Sequence, residues 1–283
     1  MESDLLPFFV LLLDIGKLCR HQINFYSFAY TITMYEVTVS VTNEQKYLLD
    51  SICQDMFDYI RQVDGTCANL QGNHRSYFCL ACSDTYTNQV KRLLTDSVAR
   101  ILTLGYKNIF VRQLLEIDNN NFYQNVLVDT MCVFDHQYEM SIVANFLDCN
   151  RDIYLDGYYH FRMQSIKRKW EKVVDMILEN NYILLDNALI VEFLQCLLQS
   201  ADGKMSQLSI CFDGDTCTLY DCKGKVLAPI CPLSQRSTAE QQAIVNAICL
   251  SPQKVQVLFA SKPSKEFCDL ANALFDVRYV MVQ

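Results

Sequence analysis

Glycine and proline are scarce in this chain. Its 283 residues include 8 glycines and 5 prolines, where average usage would give roughly 20 and 14. So few turn formers exclude a many-turned sandwich or barrel and point to long helices. The same shortage removes phosphate-cradling loops, since neither GxGxxG nor GxxxxGK[ST] occurs. Charge is sparse too: charged residues make up 20% and hydrophobic residues 51%, a composition that folds rather than stays disordered. Basic residues number 24 against 32 acidic ones, and the net charge of −8 disfavours nucleic acid and anionic membranes as general partners. The four histidines, His21, His74, His136 and His160, are scattered, and none sits in a recognisable Cys or Ser nucleophile motif.

The apolar run 5–13 (LLPFFVLLL) is nine residues long, against the roughly 20 that a spanning helix needs. Glu2 and Asp4 stand where a signal peptide carries basic residues. The expectation is a cytoplasmic protein without a membrane span. Cysteine, in contrast, is abundant at 14. Cys53, Cys132, Cys196, Cys249 and Cys268 fall in helical patterns, which suits buried, reduced thiols better than a disulfide scaffold. Cys67, His74, Cys79 and Cys82 have ligand types that suit zinc. However, Cys79 and Cys82 are an odd number of positions apart on an apparent strand and should face opposite ways. Cys211, Cys217, Cys222 and Cys231 contain no CxxC pair. No metal and no cofactor is expected.

The chain divides into four parts. Residues 1–33 are aromatic and apolar without a clear period, and are expected to be peripheral, making Met34 a candidate native start. Residues 34–117 read as a small α/β layer. The segment 35–42 (YEVTVSVT) alternates as a strand. A helix follows, with Thr42 and Gln45 as a capping box and Leu48, Leu49, Ile52, Met56, Tyr59, Ile60 and Val63 at helical spacing. Asp64-Gly65 should end it. A strand at 77–81 leads to a second helix capped by Ser83 or Asp84, with Gly105 as its terminator. A short helix at 107–117 closes the layer.

Residues 118–202 read as a helical section opened by the turn formers 118–121 (DNNN). One helix should run from Phe122 toward Leu147. Two stripes follow, Ile166, Trp170, Val173, Val174, Ile177 and Leu178, then Leu189, Ile190, Phe193, Leu194, Leu197 and Leu198. Joined at Asn180-Asn181, they predict a long antiparallel helical hairpin with Trp170 opposite Phe193.

After Asp202-Gly203, residues 203–283 read as a C-terminal βββαβαβ domain. Strands are predicted at 208–212, 216–220 and 225–230, with turns at Asp213-Gly214 and Lys223-Gly224. Ser237 and Glu240 form a capping box for a helix through Cys249. A strand at 255–259, a helix at 264–275 and a strand at 278–282 follow, with parallel pairing in the last crossover. The fold class is α+β. This element order is also that of ribonuclease-H-like nucleases, which hold two metals on carboxylates. Asp213 and Glu240 are the available equivalents. Asp213 sits at a turn, and the fourth strand ends in Ala260-Ser261-Lys262 without a carboxylate, so catalysis is not expected there.

A family likeness appears from Gly157 onward. Gly157-Tyr158-Tyr159-His160-Phe161-Arg162-Met163, then Val173-Val174-Asp175 and Glu192-Phe193-Leu194, resembles the YtxC-like sporulation proteins of endospore-forming bacteria. Their chains carry a Gly-x-x-x-Phe-Arg-Leu-like start to a long helical hairpin with a Glu-Phe-Ile/Leu step. Phe212-Asp213-Gly214, Leu219-Tyr220-Asp221, the segment 243–257 and the segment 274–278 continue the likeness. It spans roughly 34–282 in layout, is sharp in the second half, and shows Met163 where the family tends to have Leu. The resemblance implies a role associated with sporulation in a bacterial cytoplasm, and it brings no assigned reaction. Gly157, Phe161, Arg162, Trp170, Glu192 and Phe193 are the motif positions, expected to be structural. Arg162, at a helix start where the dipole disfavours a cation, is expected to have a partner.

Lys167, Arg168, Lys169 and Lys172 cluster beside Trp170. They read as a solvated polar face, or as a local patch contacting RNA, an acidic headgroup or an acidic partner. The expected function is non-enzymatic and sporulation-associated, through contacts with an unidentified protein partner. The alternative is a nucleic-acid-processing or metal-dependent enzyme built on the C-terminal domain.

Overall fold

The computed structural model describes residues 34–63, 65–118, 120–179, 183–200, 205–230 and 237–282. The expectations for residues 1–33, Asp64, the Asn180-Asn181 turn, Asp202-Gly203 and Cys231 lie outside them. The alternation at the start of the chain makes a strand, β1 (Met34–Thr42), which buries Tyr35, Val37, Val39 and Val41 on one face. A helix, α1 (Tyr47–Gln62), covers that face with Leu48, Leu49, Ile52, Met56 and Ile60. The hairpin β2 (Thr66–Gln71) and β3 (Arg75–Ser83) completes the layer, with β3 alternating as expected. With β4 (Ile153–Tyr154) the sheet order is β2-β3-β1-β4, antiparallel except for β1–β4.

Several local expectations change. Thr42 makes no side-chain cap, and neither does Ser83. Asn43 instead ties down the β2–β3 turn, donating from Nδ2 to the carbonyls of Gly72 and Asn73 at 3.1 Å each. Gly105 does not end a helix. The helix α2 (Thr87–Arg100) runs through a π turn (Ile101–Gly105) into α3 (Tyr106–Leu115). A Cβ on Gly105 would lie 2.5 Å from Leu48 Cδ2, so the glycine serves close approach to α1 rather than termination. The long helix expected from Phe122 is two, α4 (Phe122–Phe134) and α5 (His136–Ala144), broken at Asp135.

The two striped helices are present as α6 (Gln164–Glu179) and α7 (Asn187–Ser200). Their expected register is not. The described residues form two cores, and α6 divides between them. Met163, Ile166 and Trp170 enter the first core with α1, α2 and the N-terminal sheet. Val174 and Ile177 enter the second. Phe193 packs against that second core, so Trp170 and Phe193 belong to different clusters. The principal neighbour of α6 is α3, and those of α7 are α4, the helix α8 (Ala239–Leu250) and the helix α9 (Lys265–Leu274).

The C-terminal order βββαβαβ is as expected. Strands β5 (Leu208–Asp213), β6 (Thr216–Asp221), β7 (Val226–Leu227), β8 (Val255–Phe259) and β9 (Val277–Met281) form a sheet in the order β7-β6-β5-β8-β9. β5–β8 and β8–β9 are parallel. Gly214 takes φ 57° in the β5–β6 turn, where its freedom is used. The capping box of α8 is one residue later than expected: Gln241 N–H donates to Thr238 Oγ1 at 3.2 Å and Thr238 N–H to Gln241 Oε1 at 2.9 Å. Glu240 does other work. Its Oε1 accepts from Ser264 N–H at 2.8 Å and its Oε2 from the Ser264 hydroxyl, which pins the start of α9.

The separation of the two aromatic residues is measurable. Trp170→Ala should cost roughly 3–5 kcal/mol and the half-buried Phe193→Ala less. The double variant should be additive to within about 0.5 kcal/mol in urea unfolding. A coupling above about 1 kcal/mol would restore the hairpin register.

Candidate interaction face

The orientation of α6 comes from a buried charge. Trp170 Nε1 donates to Glu139 Oε1 at 2.7 Å. Lys107 Nζ donates to Glu139 Oε1 and Oε2 at 3.0 and 3.2 Å. All three side chains are buried, and the Trp170 ring also stacks at a tilt on Phe110, 5.7 Å between centroids. Burial pushes the Glu139 carboxyl up, while Lys107 and the indole N–H oppose the shift. The helical break at Asp135 puts His136 beside this group. His136 Nδ1 lies 2.7 Å from the Val133 carbonyl. Burial lowers the His136 pKa from 6.5, the backbone contact opposes this, and the Lys107 charge adds to it.

A second buried lattice joins α3 to α4. Arg112 Nη2 and Asn108 Nδ2 donate to Asp129 Oδ1 at 3.0 and 2.8 Å. Arg112 Nε donates to Asn108 Oδ1 at 2.8 Å and Nη1 to Asn125 Oδ1 at 2.5 Å. Sequence reasoning missed both lattices. The available signal was a cation inside apolar helical stripes at Lys107 and Arg112.

With Trp170 turned inward, the opposite face of α6 is solvent-facing. Lys167 reaches back over aromatic rings, its Nζ 4.6 Å from the Tyr159 centroid and 5.7 Å from that of Phe110. Lys169 Nζ lies 5.0 Å from the Tyr138 centroid, a ring that is 62% exposed. Arg168, Lys169 and Lys172 are exposed and form no salt bridge with a described residue. Phe161 is 82% exposed.

Arg162 is likewise exposed, and the partner expected for it is not found among the described residues. The reason is local. A helical segment from Leu155 ends in a π turn (Tyr158–Arg162), and Met163 interrupts it before α6 begins. Arg162 thus lies in a last turn, where the dipole favours a cation, rather than at a helix start. Gly157 has ordinary helical angles, φ −63° and ψ −47°. Glu192 is exposed and Phe193 half-buried on α7.

The remaining candidates do not assemble. Cys79 and Cys82 alternate in burial along β3, on opposite faces, and His74 is exposed in the β2–β3 turn. No group of three or more His, Cys, Asp or Glu among the described residues could hold a metal. A polar cleft of about 1190 Å³ opens where β5 and β8 end, lined by Phe212, Thr216, Thr238, Glu240, Lys262 and Ser264 among others. Asp213 does not line it, and Glu240 is engaged with Ser264.

The model of the YtxC-like family matches residues 105–279. The chain belongs to the YtxC-like family. No curated protein and no solved structure matches it. The matched stretch contains both buried lattices and the whole basic face of this YtxC-like chain. No helix among the described residues is long and apolar enough to cross a membrane.

His136 makes stability depend on pH. Its depressed pKa gives stability that is present above the ordinary value of 6.5 and lost as pH falls through the folded value. The slope attributable to one such group is at most about 1.4 kcal/mol per pH unit. Urea unfolding between about pH 7.5 and 5.5 should show a loss that shrinks in His136→Gln. An identical slope in the variant would remove His136 as the cause.

Proposed function

We propose that this YtxC-like protein is a sporulation-associated, non-catalytic cytoplasmic protein that works through protein–protein contacts on the exposed face of α6. The observation that carries this reading is the exposed group Arg168, Lys169 and Lys172, which forms no salt bridge with a described residue, together with exposed Phe161 and with exposed Tyr138 under Lys169. It stands out on a chain of net charge −8. Arginine and aromatic rings are enriched at protein interfaces. Interleaved Glu171 and Asp175 on the same helix favour a partner with placed charges over a uniform polyanion. The family likeness supplies the sporulation setting. Against the enzymatic alternative, Glu240 is committed to fixing α9, and the fourth strand of the tail ends without a carboxylate.

The test uses the full chain as bait in extract of sporulating cells, beside an R168E/K169E/K172E variant. A partner retained by the native chain and lost by the variant is expected. Equal recovery by both would remove α6 as the contact face. Nuclease activity in magnesium or manganese, abolished by Glu240→Gln, would favour the enzymatic alternative instead.

A further inference from the structure

We propose that Cys53 and Cys67 form an oxidation site at which a hydroperoxide converts the two thiols into a disulfide joining α1 to β2. Both are free and half-buried. Cys53 lines a shallow cavity of about 410 Å³ together with Asp50, Gln54, Phe57, Asp58 and Asn69. That cavity sets one face of α1 against Asn69 of β2. Cys67 lies two residues before Asn69 and shares its face of the strand. The register confirms the face: Cys67 pairs with Leu80 and Asn69 with Phe78, both buried in the core that α1 covers. Cys53 and Cys67 accordingly pack against the same core. Burial, and then the neighbouring Cys53 as charge and hydrogen-bond partner, push the Cys67 thiol up.

The two cysteines therefore have different parts. Cys53 opens to the cavity and meets the oxidant first. Its sulfur attacks the hydroperoxide, the O–O bond breaks, and a sulfenic acid forms with release of water when the oxidant is hydrogen peroxide. The Cys67 thiol then displaces hydroxide from that sulfur, and with its proton a second water leaves as the S–S bond forms. Two thiols are oxidised by two electrons and one peroxide is reduced. The bridge closes a loop of about 15 residues and clamps the edge strand of the first sheet to its covering helix. Cys132 and Cys249 lack this setting. Cys132 is enclosed in the second core and the half-buried Cys249 packs against it, with burial pushing each thiol up to about 12, which keeps them out of thiolate chemistry.

The full chain is treated with a few equivalents of hydrogen peroxide, alkylated, digested without reductant and read by mass spectrometry. The expected product is a cross-linked pair of peptides containing Cys53 and Cys67, lighter by two hydrogens than their sum and separated by dithiothreitol. In Cys67→Ser, dimedone should trap the sulfenic acid on Cys53. In Cys53→Ser, neither the bridge nor a dimedone adduct on Cys67 should form. Oxidation of the native chain to sulfinic acid without that bridge would overturn the proposal. Pairing of Cys53 with a different cysteine would do the same, and neither readout depends on a variant folding.

Discussion

Glu139 is the residue around which the helical half is arranged. A carboxylate this deeply buried costs several kcal/mol in lost hydration. Among the described residues, the Lys107 ammonium and the Trp170 indole N–H donate to it and offset that cost. Three helices therefore meet at one point: α3 brings Lys107, α5 brings Glu139 and α6 brings Trp170. Removing either charge would leave the other alone in apolar surroundings, the most damaging way to break such a pair. The same contact sets the rotation of α6 about its axis. Lys172 is two residues beyond Trp170, about 200° around the helix. An inward indole thus forces Lys172 outward. The basic face is a consequence of where the tryptophan sits.

Asp129 repeats the device between α3 and α4. It is fully buried, and burial raises its carboxyl against the opposing Arg112 charge. Oδ1 takes two donors, from Asn108 and Arg112, and the Ser237 hydroxyl also favours the charged form. Apolar stripes on neighbouring helices tolerate a slide of one turn, because one leucine replaces another. A slide here would separate Arg112 from Asp129 and Lys107 from Glu139 together. Two charge pairs on one helix, α3, thus hold it in register with α4 and α5 at once.

Legibility in the sequence followed periodicity. The alternation of Val37, Val39 and Val41 and the stripe of α1 were readable because one face is buried and the other wet. The tail was readable because its turns carry Gly214 and Gly224 at positive φ. Elements without such contrast escaped. β2 (TCANLQ) has no alternation and exists by pairing with β3, and β4 is two residues held by β1. Gly105 looked like a terminator because its contact with Leu48 is nonlocal. The pairing of Trp170 with Phe193 assumed a single core, and sequence spacing holds no sign that α6 passes from one core to another. Lys167, Arg168, Lys169 and Lys172 were found as a cluster, but their separation into stacked and free cations depends on Tyr159, Phe110 and Tyr138, which arrive from other helices.

The family match begins at Gly105, yet the face it contains is not self-supporting. Tyr106, Tyr159, Met163, Ile166 and Trp170 lie inside the match and are buried. Much of the core that buries them comes from Val37, Val39, Leu48, Ile52 and Phe78, which precede it. Without that layer, a tryptophan, two tyrosines and their aliphatic neighbours would stand in water, an apolar surface too large to remain free. The first half of α6 then shares one core with the N-terminal sheet and the helices that cover it. Packing of this kind asks for volume and pattern rather than identity. Lys107, Arg112, Asp129, Glu139 and Trp170 ask for more than volume, because each is matched to a named partner.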